Sequence, residues 1–211
     1  MSMSGRKIVL VEGRDDEHVI KHLWGSRELP ACLEVKSYGS VESLLEALPT
    51  RLKATNDGDI VAIVLDADDN LQDRWQQVRH RLVRASYLNV PENPAPSGTI
   101  IDAPEASILP RIGVWLMPDN QIRGILEDFL ALLVPADSAL FAHAKQAVAQ
   151  IPVEQRLFPP VAEPKVLIHT WLAWQEKPGL PLGIAITARC LDPFQPEADR
   201  FVAWLRQLFQ M

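Results

Sequence analysis

Two apolar runs in the sequence each end in acidic residues, and this pattern constrains both the fold and the position of a site. Residues 7–11 lead directly into Glu12, and residues 60–65 lead directly into Asp66 and Asp68. An apolar run without polar alternation is typical of a strand buried on both faces, as in a parallel sheet covered by helices. We therefore predict that the three carboxylates lie at the carboxyl end of such a sheet, where ligands of open α/β sheets bind.

Carboxylates that meet at one edge of a sheet repel one another unless a positive charge lies among them. Carboxylate oxygens are the ligands that hard divalent cations prefer. The positions of Glu12, Asp66 and Asp68 therefore predict a site for Mg²⁺ or Mn²⁺.

The first half of the chain alternates predicted strands with predicted helices. Apolar residues recur at helical spacing after the first acidic strand, after a short strand at 33–36 and after the second acidic strand. This order predicts an α/β fold, with a mostly parallel sheet, right-handed crossovers and helices on both faces. The helices are predicted at 15–25, 41–52 and 71–85, with caps at Asp15, at Ser40 and at either Asp69 or Asn70.

Two further strands and a longer helix are predicted before the chain changes character at Pro135. The strands lie at 99–102 and 112–117, and the apolar stripe of the helix runs from Ile122 to Leu133. We therefore predict an α/β core at residues 6–134 and a helical extension at residues 135–211 that packs on it. Within the extension, helices are predicted at 137–150, 165–176 and 201–208, while 180–192 are ambiguous between helix and strand.

Charge and cysteine content limit the class of protein. The chain of 211 residues has a formal net charge of −6, which argues against a protein that coats nucleic acid by general electrostatics. Cys32 and Cys190 are isolated, so the sequence encodes neither a disulfide framework nor a zinc finger. No apolar stretch is long enough to span a bilayer. We expect a cytoplasmic protein with no membrane partner.

The two acidic strand ends resemble the catalytic motifs of the Toprim domain. In that family a glutamate ends the first strand and Asp-x-Asp ends the third, as do Glu12, followed by Gly13, and the pair Asp66 and Asp68 here. The family includes topoisomerases of types IA and II, bacterial primases, small recombination and RNA-maturation proteins, and the overcoming-lysogenization-defect nucleases. The resemblance covers roughly residues 6–130 and implies a Toprim-like, Rossmann-like sheet.

Other residues are similar to the nuclease branch of that family. Asp16 lies where the branch carries a second acidic group, and Glu127 and Lys165 match its additional acidic residue and its lysine. The whole layout, including Trp171-Leu-Ala and Phe201-Val-Ala-Trp-Leu, is similar to a small stand-alone Toprim family of unassigned function.

The resemblance implies a role for each acidic residue in phosphodiester cleavage. Asp66, Asp68 and Glu12 would hold one Mg²⁺ or Mn²⁺ ion, and Glu12 would alternatively act as a general acid or base. Asp16 and Glu127 would help to hold a second ion. Two such ions activate water and stabilise the attacking and leaving oxygens.

Four further residues are predicted to meet a nucleic acid. The resemblance implies that Lys165 stabilises charge on the phosphate in the transition state, and Gly13 would let the backbone approach a phosphate closely. Arg74 and Arg81 fall along one flank of their predicted helix and would contact a phosphate backbone. A solvated face is the alternative for both arginines, for Lys165 and for Glu127.

His18 and His22 lie one helical turn apart, a spacing that can bind zinc. No third ligand is evident, so we interpret the pair as part of a polar helix face.

The leading functional hypothesis is a Mg²⁺- or Mn²⁺-dependent nucleic-acid phosphodiesterase. The sequence has no Walker A motif, so the ATPase half of the large Toprim nucleases is missing, and a protein partner would have to supply further domains. A second hypothesis is a binding or regulatory module that holds metal or nucleic acid without turnover. A third is a nucleotide-sugar transferase that uses the Asp-x-Asp pair, which leaves Glu12 unexplained.

Overall fold

The computed structural model describes residues 5–105 and 107–211 and shows an α/β fold. In this part of the chain one sheet has five strands: β1 (Lys7–Val11), β2 (Leu33–Ser37), β3 (Ile60–Asp66), β4 (Thr99–Ile101) and β5 (Arg111–Met117). Their order in the sheet is β2-β1-β3-β5-β4. All neighbours pair in parallel except β4 and β5, which are antiparallel. The predicted mostly parallel sheet is confirmed.

Helices cover both faces of the sheet, as predicted. The helices described are α1 (Arg14–Gly25), α2 (Val41–Lys53), α3 (Leu71–Arg84), α4 (Leu126–Leu132), α5 (Ala139–Ala149), α6 (Glu163–Ala173), α7 (Leu182–Thr187) and α8 (Pro196–Phe209). Short 3₁₀ turns at Val153–Gln155 and Pro160–Ala162 precede α6. The segment that was ambiguous in the sequence, 180–192, contains a helix. None of the described helices is long and apolar enough to cross a membrane.

Two of the predicted helix caps are confirmed and one is wrong. The side chain of Ser40 accepts a hydrogen bond from the amide of Ser43 at the start of α2. The side chain of Asn70 accepts bonds from two amides at the start of α3. Helix α1 begins after Gly13 and not at Asp15, because the Gly13 amide donates to the carboxylate of Asp16 at 3.0 Å.

The helix predicted from Ile122 to Leu133 is shorter than its apolar pattern suggests. Its first four residues belong to a loop that starts before Ile122, where the Asp119 carboxylate accepts bonds from the amides of Gln121 and Ile122. Such local bonds compete with helical ones. Ile122 is therefore 56% exposed, and α4 begins at Leu126.

Alternate residues of each central strand face two separate apolar clusters. Ile8 and Leu10 of β1 join the cluster that contains α2 and α3. Val9 and Val11 join the cluster that contains α1 and the helices of the C-terminal extension. Because the extension shares this cluster with the sheet, its helices bury the second face of the α/β core.

Helix α8 packs directly on strand β5. The rings of Trp115 and Trp204 lie 5.4 Å apart between their centroids. Below α8, strand β5 carries Gly113, where an added Cβ would lie 2.5 Å from Leu208 Cδ2 and 2.8 Å from Trp204 Cζ2. The missing side chain lets the helix approach the sheet closely.

This packing predicts that Gly113→Ala destabilises the protein. We expect the free energy of unfolding in urea to fall by about 1–3 kcal/mol, the usual cost of overpacking. Gly25→Ala, at the end of α1, is the matched control because a Cβ there meets nothing within 4 Å. Equal stability of the two variants would contradict the close packing of α8 on β5.

Candidate functional site

A cavity of ≈260 Å³ lies at the carboxyl end of the parallel strands. It contains six of the residues predicted from the sequence, namely Glu12, Gly13, Asp16, Asp66, Glu127 and Lys165. Five acidic side chains line it, since Asp15 also does, against the two basic side chains of Arg14 and Lys165. The chemistry of the site is therefore that of crowded carboxylates.

Glu12 and Asp66 connect the ends of neighbouring strands β1 and β3. The backbone amide of Asp66 donates a hydrogen bond to Glu12 Oε1 at 2.8 Å. Burial raises the pKa of Glu12 to about 7, although the Asp66 amide and the charge of Arg74 act in the opposite direction. At neutral pH this carboxyl group exchanges its proton readily, which suits acid–base chemistry.

Asp66 has the most unfavourable environment of these residues. Its Oδ1 is buried and has no hydrogen-bond partner among the described residues. The pKa of Asp66 is raised well above its usual value, first by burial and then by the charges of Asp16, Glu12, Asp68 and Glu127. A buried acceptor without a partner is costly unless a ligand satisfies it.

Asp16 presents a second buried carboxyl oxygen to the same region. Its Oδ2 accepts the bond from Gly13 at the start of α1, while its Oδ1 is buried and has no partner in the described chain. Burial raises the pKa of Asp16 to about 6, and the nearby charge of Glu127 contributes in the same direction.

Glu127 and Lys165 come from two adjacent helices and form an ion pair at the cavity. Glu127, the second residue of α4, is only 3% exposed, so the alternative of a solvated glutamate is wrong. Its Oε1 lies 3.2 Å from Nζ of Lys165, which is the third residue of α6. Burial opposes the charge on Lys165, but its pKa is raised because the carboxylate of Glu127 faces it.

Asp68 does not line this cavity with the other acids. Its carboxylate forms an ion pair with Arg74 of α3 and borders a neighbouring cavity that also contains Asp69 and Asp128. Asp68 lies in the left-handed region with φ of +52°, and its backbone is bridged to Gly124. The two aspartates of the Asp-x-Asp motif therefore line different cavities, although the charge of Asp68 still acts on Asp66.

The two predicted nucleic-acid-binding arginines also lie outside the cavity. Arg74 is only 8% exposed, and its guanidinium donates to Asp66, Gln77 and Asp68, so a phosphate contact would have to break these bonds. Arg81 borders a larger groove of ≈700 Å³ between α2 and α3, together with Arg84. Glu42 and Glu46 also line this groove, but none of the acids of the cavity does.

Gly39 and Ser40 line the cavity although the sequence analysis did not assign them to the site. They follow strand β2, which lies beside β1 in parallel, and the Gly39 amide donates to the Glu12 carbonyl at 2.7 Å. The pairing of β2 with β1 would have been enough to predict Gly39 and Ser40, because the carboxyl ends of parallel strands meet at one edge of the sheet.

The histidines of α1 are explained by packing between helices. His22 Nδ1 lies 2.7 Å from the hydroxyl of Thr187 near the end of α7. Burial and then the neighbouring His18 lower the pKa of His22. This contact supports the interpretation of a polar helix face.

The cavity contains carboxylate oxygens, which are the kind of donor that a hard divalent cation prefers. In residues 5–105 and 107–211 no three Asp, Glu, His or Cys side chains already stand together as a ligand set. Mg²⁺, however, is usually bound by one or two carboxylates and several water molecules. Within the described part of the chain, the buried Oδ1 atoms of Asp66 and Asp16 have no hydrogen-bond partner, and they are acceptors of the kind that such an ion satisfies.

The raised pKa values predict that stability falls as the pH rises. The folded state holds protons on Glu12, Asp16 and Asp66 that the unfolded chain releases. The contribution of Glu12 is complete below its usual pKa of 4.5 and is lost as the pH rises through about 7, and that of Asp16 is complete below 3.8 and is lost through about 6. Asp66 contributes with the same sign. In EDTA we expect the free energy of unfolding in urea to be lower at pH 8 than at pH 5 by at least about 1 kcal/mol.

Asp66→Asn should reduce this difference, because it removes one of the repelling carboxylates. The exposed Asp57→Asn should retain it and serves as the control. The lowered pKa of His22 makes stability rise with pH, but this contribution is the same in both variants and cancels when they are compared. Equal stability of the wild type at both pH values, or the same slope in Asp66→Asn, would contradict the crowding of these acids.

Comparisons with known proteins give a family but no activity. No similar protein was found among the curated proteins or among the solved structures. Residues 6–210 match a family described as "Protein of unknown function (DUF3226)". Because the match covers nearly the whole chain, the protein belongs to this DUF3226 family.

Proposed function

We propose that this protein is a Mg²⁺- or Mn²⁺-dependent nucleic-acid phosphodiesterase of the Toprim nuclease type. The observation that carries the proposal is the convergence of Glu12, Asp16, Asp66 and Glu127 on one cavity at the carboxyl ends of β1 and β3. The resemblance of the strand-end motifs to the Toprim domain adds the reaction class.

Electrostatics support a cation at this position. The pKa values of Glu12 and Asp66 are raised, first because folding buries both carboxyl groups. The negative charges of neighbouring carboxylates raise them further. Strongly perturbed acids in a cleft are typical of functional sites. A divalent cation would offset the repulsion and let every carboxylate remain ionised.

The cavity residues divide into those that would hold the cation and those that would act on the substrate. Asp66 and Asp16 would hold the ion through their buried Oδ1 atoms, which have no hydrogen-bond partner among the described residues, and Glu127 of the same cavity would assist. When bound, the ion would activate water and stabilise the oxygens of the phosphodiester. Glu12, which the cation would keep ionised, would accept the proton of the attacking water.

Lys165 would bind the phosphate of the substrate. Its side chain is 54% exposed while its ammonium group contacts the buried Glu127, so it connects the cavity with solvent. The cavity of ≈260 Å³ is smaller than the roughly 300–1,000 Å³ of sites that enclose a small-molecule ligand. It would therefore take one phosphodiester group of a polymer that runs across its mouth.

The charge of −6 favours weak nonspecific binding. A nuclease of this kind would act in the cytoplasm on a nucleic-acid end or in an assembly whose other protein supplies affinity. Arg81 and Arg84 in the groove between α2 and α3 are the side chains that we expect to meet a phosphate backbone beyond the cavity.

A non-catalytic binding module is the second candidate. The contact that favours it is the ion pair between Lys165 and Glu127, which already neutralises one cavity carboxylate without a cation. The nucleotide-sugar transferase is disfavoured, because the carboxylate of Asp68 pairs with Arg74, and because that function leaves unexplained the bond of Glu12 to the Asp66 amide.

Cleavage assays test the proposal. Supercoiled plasmid, single-stranded DNA and single-stranded RNA are incubated with Mg²⁺, Mn²⁺ or EDTA, and cleavage is followed on gels. We expect metal-dependent cleavage that falls at least about 100-fold in Asp66→Asn and in Glu12→Gln, the usual loss when acid–base or metal-binding groups are removed. Asp57→Asn, an exposed substitution of the same type, should cleave like the wild type.

The outcomes separate the two candidates. Metal binding without cleavage of any of the three substrates would replace the nuclease with the binding module. Cleavage that persists in Asp66→Asn would place the activity outside this cavity.

A further inference from the structure

Arg74 is a buried cation directly behind the acidic cavity. Its Nε donates to the backbone carbonyl of Asp66 at 2.9 Å, and its Nη1 donates to Gln77 Oε1 at 3.0 Å. Its remaining terminal nitrogen pairs with the carboxylate of Asp68. The backbone amide of Asp66 donates to the Glu12 carboxylate at the same time. The peptide groups on both sides of Asp66 are therefore held by hydrogen bonds, one to Glu12 and one to Arg74.

An unpaired charge at this position would have two costs. A buried guanidinium without a carboxylate partner destabilises the folded state. Its positive charge, in contact with Asp66, would also repel a cation held by that residue. The carboxylate of Asp68 removes both costs.

The backbone of Asp68 is held in the orientation that this pairing requires. Its amide donates to the Gly124 carbonyl at 2.9 Å, and the Gly124 amide donates back to Asp68 at 2.9 Å. Within this bridge Asp68 has a φ of +52° and does not border the cavity. Asp16 and Glu127 line the cavity together with Asp66.

We infer that Asp68 is the counter-ion of Arg74 and not a ligand of the cation, and that Arg74 is a positioning residue for Asp66. The statement that Asp68 does not bind the cation rests on the proposed function. The ion pair between Asp68 and Arg74 does not, because it stabilises the protein in the absence of any ion.

Mn²⁺ binding to the full chain, measured by isothermal titration calorimetry, tests the inference. We expect Asp66→Asn to abolish binding. Asp68→Asn should raise the Kd by about 10-fold, the usual effect of losing a group that acts through another. The double variant Asp68→Asn with Arg74→Gln should bind close to the wild-type value, because the uncompensated charge is gone and glutamine still donates to the Asp66 carbonyl.

The combination of Asp68→Asn with Arg74→Lys is the control for charge. It retains the positive group and should bind as weakly as Asp68→Asn alone. If Asp68→Asn loses binding as completely as Asp66→Asn, and Arg74→Gln does not restore it, Asp68 is a ligand and the inference is overturned.

Melting temperatures in EDTA separate this inference from the proposed function. Asp68→Asn should lower the Tm by about 2–4 °C, the shift that about 1 kcal/mol causes in a chain of this size. Adding Arg74→Gln should recover most of that loss. If the wild type binds no Mn²⁺, the proposed function is wrong, but the Tm values still test the ion pair between Asp68 and Arg74. If adding Arg74→Gln to Asp68→Asn does not recover the Tm, the assignment of Asp68 as the counter-ion of Arg74 is overturned.

Discussion

The hydrogen bond between the Asp66 amide and the Glu12 carboxylate places the acidic ends of two strands in contact. It forms because β1 and β3 are parallel neighbours in which Val11 pairs with Val64, so both strands end at the same edge. The apolar residues Ile8 to Val11 and Val61 to Leu65, which precede these acids, are fully buried. The carboxylates of Glu12 and Asp66 consequently lie at one edge of the sheet, and their crowding follows from the pairing of the strands.

The strands and most helices could be predicted because their apolar patterns reflect burial. Val61 to Leu65 face both apolar clusters in alternation, and the uninterrupted run in the sequence records this. The loop before α4 could not be predicted from the same patterns, because Asp119 forms local bonds that the apolar stripe does not encode. The packing of α8 on Gly113 could not be predicted either, because it is a contact between residues that are far apart in the sequence.

The site was predictable only in part, for a related reason. Glu12 and Asp66 follow from the ends of strands, and Lys165 and Glu127 from a resemblance to one family. The direction of the Asp68 side chain depends on the bridge to Gly124 and on Arg74, six residues along the chain. The spacing of a motif thus locates two aspartates near a sheet edge, while tertiary contacts decide which carboxylate enters the cavity.

The most direct test of the central claim is an anomalous difference map from crystals of the protein soaked in Mn²⁺ at neutral pH. If the crowded carboxylates form a cation site, a strong peak will lie in the cavity in contact with the Asp66 carboxylate, with Glu12, Asp16 or Glu127 as further neighbours. A map with no peak there at millimolar Mn²⁺, in crystals whose cavity is open to solvent, would contradict the claim that these carboxylates form a cation site.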